Sequence, residues 1–567
     1  MTQKPAKRWE IQPPLPPEVS LDLEEAAPIL RQLLYNRGYA TPETAGAYLR
    51  AAPPADTHPL NMLGMQTAVE HIRHALKHNQ QIAVYGDYDA DGVTATALLT
   101  HALQSIGAEV RPYIPNRFDE GYGLNTEALD TLRAEGVKLV ITVDCGIRSV
   151  EEVAHARSHG MEVIISDHHY PGKDLPPACA IINPKQAGDT YPDKMLAGVG
   201  LAYKLVCALA GHFPALQPES YLDLVALGTV ADLAPLELEN RALVRAGLEQ
   251  LRAPSRQGLY ALMQVADIAP QRVTASDIGF RLGPRLNAAG RLDTALAALD
   301  LLLTDDLFLA GQLAQQLHAQ NAERQRITHE IQQAAEEISL AADPEAALLF
   351  AAHPGFNQGV VGLAASRLVE HHYRPAIVAH QDDEYTVGSC RSIPEFHITE
   401  ALDACADLLV RHGGHAAAAG FTVHNENLPA LIERLQEIAS AQLGGLDLRP
   451  KLVADMEIPL SDLNPDVLRY LDWMQPTGYG NPSAIFVSRD VRVTYRRALG
   501  KDGAHLRFGV SDGRITWDAI AFRQGHWYAE MPERVDILYT FERNEYNGRT
   551  SLQLNVRDLK PAGTPDM

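Results

Sequence analysis

Between residues 82 and 165 the chain repeats one pattern: a short apolar run, a turn, a stretch with helical spacing, then another apolar run. The runs at 82–85, 110–114, 139–143 and 162–165 read as strands, and segments 93–106, 126–134 and 149–159 as helices. Short strands with little polar alternation are buried on both faces, which requires a parallel sheet covered by helices on each side. In such a sheet ligands gather at the carboxyl ends of the strands. Acidic residues stand there. Gly86-Asp87-Tyr88-Asp89-Ala90-Asp91-Gly92 follows the first run, Asp144-Cys145-Gly146 the third and Asp167-His168-His169 the fourth. Asp232 closes the later stretch Gly228-Thr229-Val230-Ala231-Asp232.

Six carboxylates and two imidazoles at element ends cannot share a cavity uncharged and unpaired. Divalent cations satisfy them, and the short, hard oxygen donors of Asp suit Mg²⁺ or Mn²⁺. Two adjacent ions point to phosphoester chemistry. A helix N-cap before Val93 accounts for one of Asp87, Asp89 and Asp91, not for all of them. Adjacent His168 and His169 point in different directions, so one can bind metal while the other faces substrate. Asp232 reads either as a metal ligand or as a simple cap. Cys145 reads as a small residue in a tight strand-to-helix turn.

At 567 residues the chain exceeds a single core, and several domains are expected. We expect a helical leader at 1–75, the parallel-sheet domain with a helical extension at 76–304 and a connecting helix at 305–343. A second α/β domain at 344–440 and a C-terminal β-barrel at 451–562 complete the fold class, α/β overall. The connector is a polar, Gln-, Ala- and Glu-rich stretch without Pro, suited to an extended helix bridging globular parts. A Gly-rich break precedes the barrel, whose short alternating strands are expected at 484–487, 491–495, 505–510, 516–522 and 535–541.

With 49 basic and 71 acidic side chains the formal charge is −22, which argues against coating by bulk nucleic acid but not against a local basic channel. Five cysteines without a CxxC pair read as reduced thiols in a cytoplasm. The Pro-rich N-terminus lacks the apolar core of a signal peptide, and no window is apolar enough to predict a membrane span.

The four acidic clusters, in order and spacing, resemble the motifs of the DHH phosphoesterase superfamily. Gly283-Pro284-Arg285-Leu286-Asn287-Ala288-Ala289-Gly290-Arg291 resembles the signature of its RecJ branch. Ser389-Cys390-Arg391-Ser392 and Gly413-Gly414-His415, followed by Gly420-Phe421, resemble the DHH-associated substrate-binding domain. The resemblance covers about residue 50 to the C-terminus. It implies a 5′→3′ exonuclease that degrades single-stranded DNA to mononucleotides in repair and recombination, through water activated by two Mg²⁺ or Mn²⁺ ions. Carried over by position, Asp89, Asp91, Asp144, His168 and Asp232 become metal ligands, with Asp87 a sixth and Asp144 the bridge. His169, beside Asp167, would contact the scissile phosphate or assist the leaving oxygen. Single-strand-binding protein and a helicase are partners implied by the family alone.

Substrate handling falls to other residues. Arg285, near Asn287, and Arg391, near Ser389, are phosphate clamps or surface ion pairs; guanidinium forks match phosphate oxygens. Gly413 and Gly414 would let backbone amides approach a phosphate, and His415 could donate to it. Arg117 and Tyr122 are further candidates in a loop after a strand. The barrel resembles an OB-fold, which stacks bases on aromatic side chains. Tyr495, Arg507, Trp517 and Phe522 supply such residues, with Trp517 and Phe522 favoured as barrel core. Three rival readings are weighed, of which a non-enzymatic replication scaffold that keeps the fold without its metal ligands is disfavoured because every ligand position is filled here. Another is a DHH phosphodiesterase for short RNA or cyclic dinucleotides. The third is a haloacid-dehalogenase-type phosphatase with Asp89 as nucleophile, because Asp89-Ala90-Asp91-Gly92-Val93-Thr94 imitates that loop.

Overall fold

The computed structural model describes residues 7–24, 26–116, 120–121, 123–546 and 549–566; Arg117 and Tyr122 lie outside the described residues. The chain forms two compact units: Gln12–Asn321 with Asp455–Gly563, and Ala322–Ala454 with the terminal segments.

The first unit is built on five parallel strands, β1 (Ile82–Gly86), β2 (Val110–Tyr113), β3 (Leu139–Val143), β4 (Glu162–Ser166) and β5 (Ala180–Ile182). Their order is β2-β1-β3-β4-β5. The two-residue period of a strand explains the apolar runs. Ile82 and Val84 enter a core on one face, whereas Ala83 and Tyr85 enter a core on the other with Leu129 and Val153. The chain leaves β1 toward β2 and crosses back to β3, so β1 and β3 flank the topological switch point. Asp87 and Asp144 follow directly on those two strands, at the crevice where such folds bind ligands.

Helices α1 (Ala90–Ser105), α2 (Gly198–Ala210), α3 (Leu222–Ala231), α4 (Leu238–Leu251) and α5 (Gly283–Leu292) build the larger core. Helix α6 (Leu307–Ala342) runs for 36 residues. Its buried Ala310, Ala314 and Leu317 fall four and three residues apart, a single narrow stripe on an otherwise polar helix.

The second unit carries β6 (Leu349–His353), β7 (Ala376–Gln381), β8 (Tyr385–Arg391), β9 (Leu409–His415) and β10 (Ala418–His424), in the order β9-β10-β8-β7-β6. Only β6 and β7 run parallel. Residues 8–11, expected inside a helical leader, instead form a strand paired parallel with Lys451–Ala454. Trp9 is buried there, so this N-terminal segment gains both backbone partners and apolar cover.

The barrel belongs to the first unit. Strands β11 (Phe486–Leu499), β12 (His505–Ser511), β13 (Thr516–Ala521), β14 (Arg534–Tyr546) and β15 (Arg549–Pro561) close through β11–β14 pairing. The runs expected at 484–487 and 491–495 are one strand. Register shifts between Ser488 and Val491 and between Val493 and Tyr495 let it pair first with β14 and then with β12. Strand β15 was not anticipated, although Leu552, Leu554 and Val556 alternate along it. Trp517 packs against the barrel core as expected, but Phe522 is 52% exposed and lies against His505, contrary to its reading as core.

Leader helices Pro28–Asn36 and Pro42–Arg50 share the barrel's core through Leu30, Leu33, Leu34 and Tyr48. Arg241 of α4 ties this assembly to the parallel-sheet body. It is 2% exposed, and its guanidinium donates to the carbonyls of Tyr48 (3.2 Å), Met474 (2.9 Å), Pro476 (3.0 Å) and Trp473 (3.3 Å). It also lies 4.0 Å from the centre of the Tyr48 ring. The Tyr48 carbonyl keeps the Ala51 amide as a donor, and the Met474 and Pro476 carbonyls keep Asn481 Nδ2. Replacement by an apolar residue therefore costs the charge-assisted bonds themselves, each worth about 1.5–3 kcal/mol. We predict that Arg241→Met lowers unfolding free energy by about 3 kcal/mol or more, read as an earlier urea midpoint. A change within about 0.5 kcal/mol, the range of ordinary surface substitutions, would remove this residue from the account.

Candidate metal centre

Each acidic residue is set by a local backbone device. Asp89 caps α1: its Oδ1 accepts from the amides of Asp91 (2.9 Å) and Gly92 (3.0 Å). The cap and the acidic cluster therefore coexist, because Asp87 and Asp91 do other things. Asp91, fully buried, accepts from the amides of Gly198 (2.6 Å) and Val199 (2.8 Å) at the start of α2, where the helix dipole favours an anion. Asp144 adopts a left-handed backbone with φ 63°, a strained conformation for a residue with a Cβ, in the turn leaving β3. Asp232 follows the last residue of α3 as its C-cap.

These devices converge on His168. Its Nε2 lies 3.0 Å from Asp144 Oδ1, 3.7 Å from Asp232 Oδ2 and 3.9 Å from Asp91 Oδ2. Asp144 Oδ1 and His168 Nε2 are both buried without a hydrogen-bond partner. Donor atoms of Asp87, Asp89 and Asp144 form one group within 4.8 Å, and those of Asp91, His168 and Asp232 form another; Asp144 also groups with His168 and His169. Oxygen donors with one imidazole, around buried atoms that the protein leaves unpaired, fit hard divalent cations. Asp144 belongs to the group with Asp87 and Asp89 and to the group with His168 and His169, and so links the two parts of the cluster.

Electrostatics report the same crowding. Burial and the neighbouring Asp89 push Asp91 up to about 7. Burial and the nearby Asp91 and Asp89 push Asp232 up to about 9. Asp144 is raised well above the usual carboxylate range by burial and then by Asp91. Burial, together with His169, lowers His168 to about 3, so its imidazole is neutral and able to ligate.

His169 has a different partner. Its Nδ1 lies 2.8 Å from Asp167 Oδ1, and Asp167 also accepts from the amides of His169 (3.0 Å) and Ile147 (2.9 Å). Burial would lower His169, but the Asp167 carboxylate outweighs it and raises the imidazole above its ordinary value. Asp167 thus orients His169 and favours its protonated form, a positioning task. Asn287 is likewise placed as a support: its Oδ1 accepts from the Ala90 amide at 2.7 Å, at the start of α1. Arg285, on the same helix α5, donates to His318 Nδ1 (3.2 Å) and to the Arg281 carbonyl (2.6 Å). The Asp89 nucleophile reading has no role for Asp144, His168 and Asp232.

Glycines make the close approach feasible. A Cβ on Gly198 would lie 2.6 Å from the Cβ of Asp144, and one on Gly228 would lie 2.9 Å from Asp91 Oδ1. Neither glycine was expected to shape the site. Also unanticipated are Asn183 and Lys185, beyond β5. Asn183 Nδ2 donates to the His169 carbonyl (2.9 Å) and Lys185 Nζ to the His168 carbonyl (2.5 Å). Their signal was the Asn183-Pro184-Lys185 turn after a three-residue strand too short to recognise.

In the second unit, strand register assembles the remaining candidates. Ser389 pairs with Gly420, which pairs with Gly413; Arg391 pairs with Ala418, which pairs with His415. Residues in register share a sheet face, so Ser389, Arg391, Gly413 and His415 fall on one side and Cys390 on the core side. Arg391 donates to Ser389 Oγ (3.2 Å) and the Cys390 carbonyl (2.8 Å). Both side chains border Gly362, where a Cβ would come within 2.9 Å of them. Gly413 is open on its side-chain face, whereas Gly414 has φ 152° and its Cβ would collide with Ala419.

Comparison with known proteins agrees. Family models match at residues 81–229 (DHH family, N-terminal domain), 345–441 (DHHA1 domain) and 454–558 (RecJ OB domain). A Bacillus subtilis relative, "Single-stranded-DNA-specific exonuclease RecJ", is 38% identical over 97% of this chain and 70% of its own length. Crystal structures of RecJ from Thermus thermophilus in complex with Mn²⁺ and with Mg²⁺ superpose with TM-scores of 0.84 and 0.79. They are 34% and 32% identical, over 98% of this chain and 80% and 79% of theirs. The chain belongs to the RecJ family of DHH phosphoesterases, carrying that family's DHH, DHHA1 and OB domains in order.

Proposed function

We propose that this chain is a divalent-metal-dependent exonuclease that degrades single-stranded DNA 5′→3′ to mononucleotides in DNA repair and recombination. The observation that carries this reading is the convergence of Asp87, Asp89, Asp91, Asp144, His168 and Asp232 around buried, unpaired ligand atoms at the switch point of the parallel sheet. Two Mg²⁺ or Mn²⁺ ions bound there would neutralise a phosphodiester and lower the pKa of water for in-line attack. Asp87, Asp89 and Asp144 would hold one, and Asp91, His168 and Asp232 the other, with Asp144 shared.

The protein's own groups do the rest. His169, whose protonated form Asp167 favours, would face the scissile phosphate and can give a proton from Nε2 to the leaving oxygen. Asn287 fixes the start of α1 and hence the acidic loop. Arg285, which donates to an imidazole and a carbonyl and not to a carboxylate, retains its full charge for a phosphate. Arg391, Ser389, Gly413 and His415 form a separate substrate-binding face on the second unit, and Gly414 contributes backbone between the last two. The barrel presents Tyr495 and Phe522, 41% and 52% exposed, as stacking surfaces for bases. Among the described residues no helix is long and apolar enough to cross a membrane. Work in the cytoplasm beside a single-strand-binding protein and a helicase fits the substrate.

Two outcomes test this reading. Asp144→Ala should keep the fold but lower release of nucleotides from 5′-labelled single-stranded DNA in Mg²⁺ by about 10²-fold or more. Unchanged turnover would refute it. The second outcome is thermodynamic. Carboxyls that ionise near 4 in an unfolded chain ionise near 7 and 9 at Asp91 and Asp232. Their penalty on the metal-free fold is absent below about pH 4, grows as pH rises above that, and is complete above about 7 for Asp91 and about 9 for Asp232. Cations relieve it, so the rise in Tm on adding saturating Mg²⁺ should be larger at about pH 9 than at about pH 6. An equal rise at both would contradict the assigned ligands.

A further inference from the structure

Away from the acidic cluster, the second unit contains a convergence that the exonuclease reading does not use. Glu336 lies on α6, and His371 and His372 end the helix Val361–His372. Both imidazoles aim at one carboxylate oxygen: His372 Nε2 is 2.8 Å and His371 Nδ1 is 3.1 Å from Glu336 Oε1. Their rings are tilted by 60° with centroids 5.0 Å apart, so they approach from different directions and are not stacked. The three ligand atoms lie within 4.8 Å of one another.

Hydrogen bonding alone leaves this cluster incomplete. His372 bonds to the Glu336 carboxylate, but His371 Nδ1, a buried atom 3.1 Å away, has no hydrogen-bond partner. In the tautomer protonated at Nε2, that nitrogen offers its lone pair to a cation. The His372, Glu336 and His371 side chains are 9%, 21% and 32% exposed, so the group is partly recessed, with His371 at its rim. The C-terminal turn of a helix also favours a cation.

We infer that Glu336, His371 and His372 form a transition-metal site, of the two-imidazole, one-carboxylate type that Zn²⁺ occupies with a solvent molecule in the fourth position. Zinc–ligand bonds of about 2.0–2.1 Å at tetrahedral angles give ligand edges of roughly 3.3 Å. The observed 2.8 and 3.1 Å need only a few tenths of an ångström of expansion. The donor set also separates this ion from the catalytic ones. Two imidazoles suit zinc, whereas the carboxylate-rich cluster of the first unit suits Mg²⁺ or Mn²⁺. Because Glu336 and the histidines come from two different helices, a bound ion would clamp the C-terminal half of the long helix to the second unit's own body.

The test uses the full chain in excess Mg²⁺, which keeps the acidic cluster filled. Zinc content after equilibrium dialysis is compared among the unaltered protein, Glu336→Gln, His371→Ala and His372→Ala. We expect the unaltered protein to hold one more zinc than each variant, with zinc affinity lower by about tenfold or more in each, since even outer-shell changes at metal sites cost that much. DNA degradation in Mg²⁺ should be retained in the variants. Should a variant fail to fold, Co²⁺ added to the unaltered protein in excess Mg²⁺ serves instead, and intense tetrahedral d–d absorption is expected. Equal zinc content in all folded proteins, or only weak octahedral cobalt absorption, would overturn the assignment.

Discussion

The structure depends on holding like charges together. Asp91, Asp144 and Asp232 are buried where both desolvation and the neighbouring carboxylates, Asp89 among them, disfavour their ionised forms. Much of the positioning falls to backbone amides. Asp91 is fixed by the first turn of α2, Asp89 by the first turn of α1 and Asp167 by Ile147 and His169. Amides at helix starts point in fixed directions and carry partial positive charge, so they set carboxylates in place without competing for a cation.

Rigid surroundings are the other half of that solution. A parallel sheet buried on both faces sets the ends of β1 and β3 side by side, and glycines at 198 and 228 let two helices come within contact of Asp144 and Asp91. Helix α5 closes on the acidic loop through Asn287 and Gly290, where a Cβ would meet the Tyr88 carbonyl at 2.7 Å. Strain at the cluster sits on Asp144, whose left-handed backbone turns its carboxylate toward His168. Such strain persists because the surrounding contacts over-determine it.

Much of this was legible in the sequence because it rests on short-range rules. Apolar runs with period two on both faces announced the parallel sheet, and acids immediately after them announced the cluster. The connecting helix was legible from a long stretch free of Pro. What escaped depends on tertiary context. The strand at 8–11 finds its partner hundreds of residues away, at Lys451–Ala454, and no local pattern encodes that. Phe522 alternates like a core residue but stands where the barrel leaves its face open. Asp167 and Asn287 were legible as site residues, but not that Asp167 bonds to His169 and that Asn287 Oδ1 accepts from the Ala90 amide. Asn183 and Lys185 were hidden behind a strand of three residues.

The two units use opposite electrostatic styles. The first concentrates carboxylates and needs cations; the second presents Arg391 beside Ser389 and glycine backbone, a face suited to anions. The account stands or falls on where the ions sit. The most direct measurement is anomalous diffraction from crystals grown with Mn²⁺, recorded at the manganese edge. Two peaks about 3.5–4 Å apart, both within bonding distance of the Asp144 carboxylate, are predicted. A single peak that avoids Asp144, or manganese bound only outside the cluster of Asp87, Asp91, His168 and Asp232, would contradict the account.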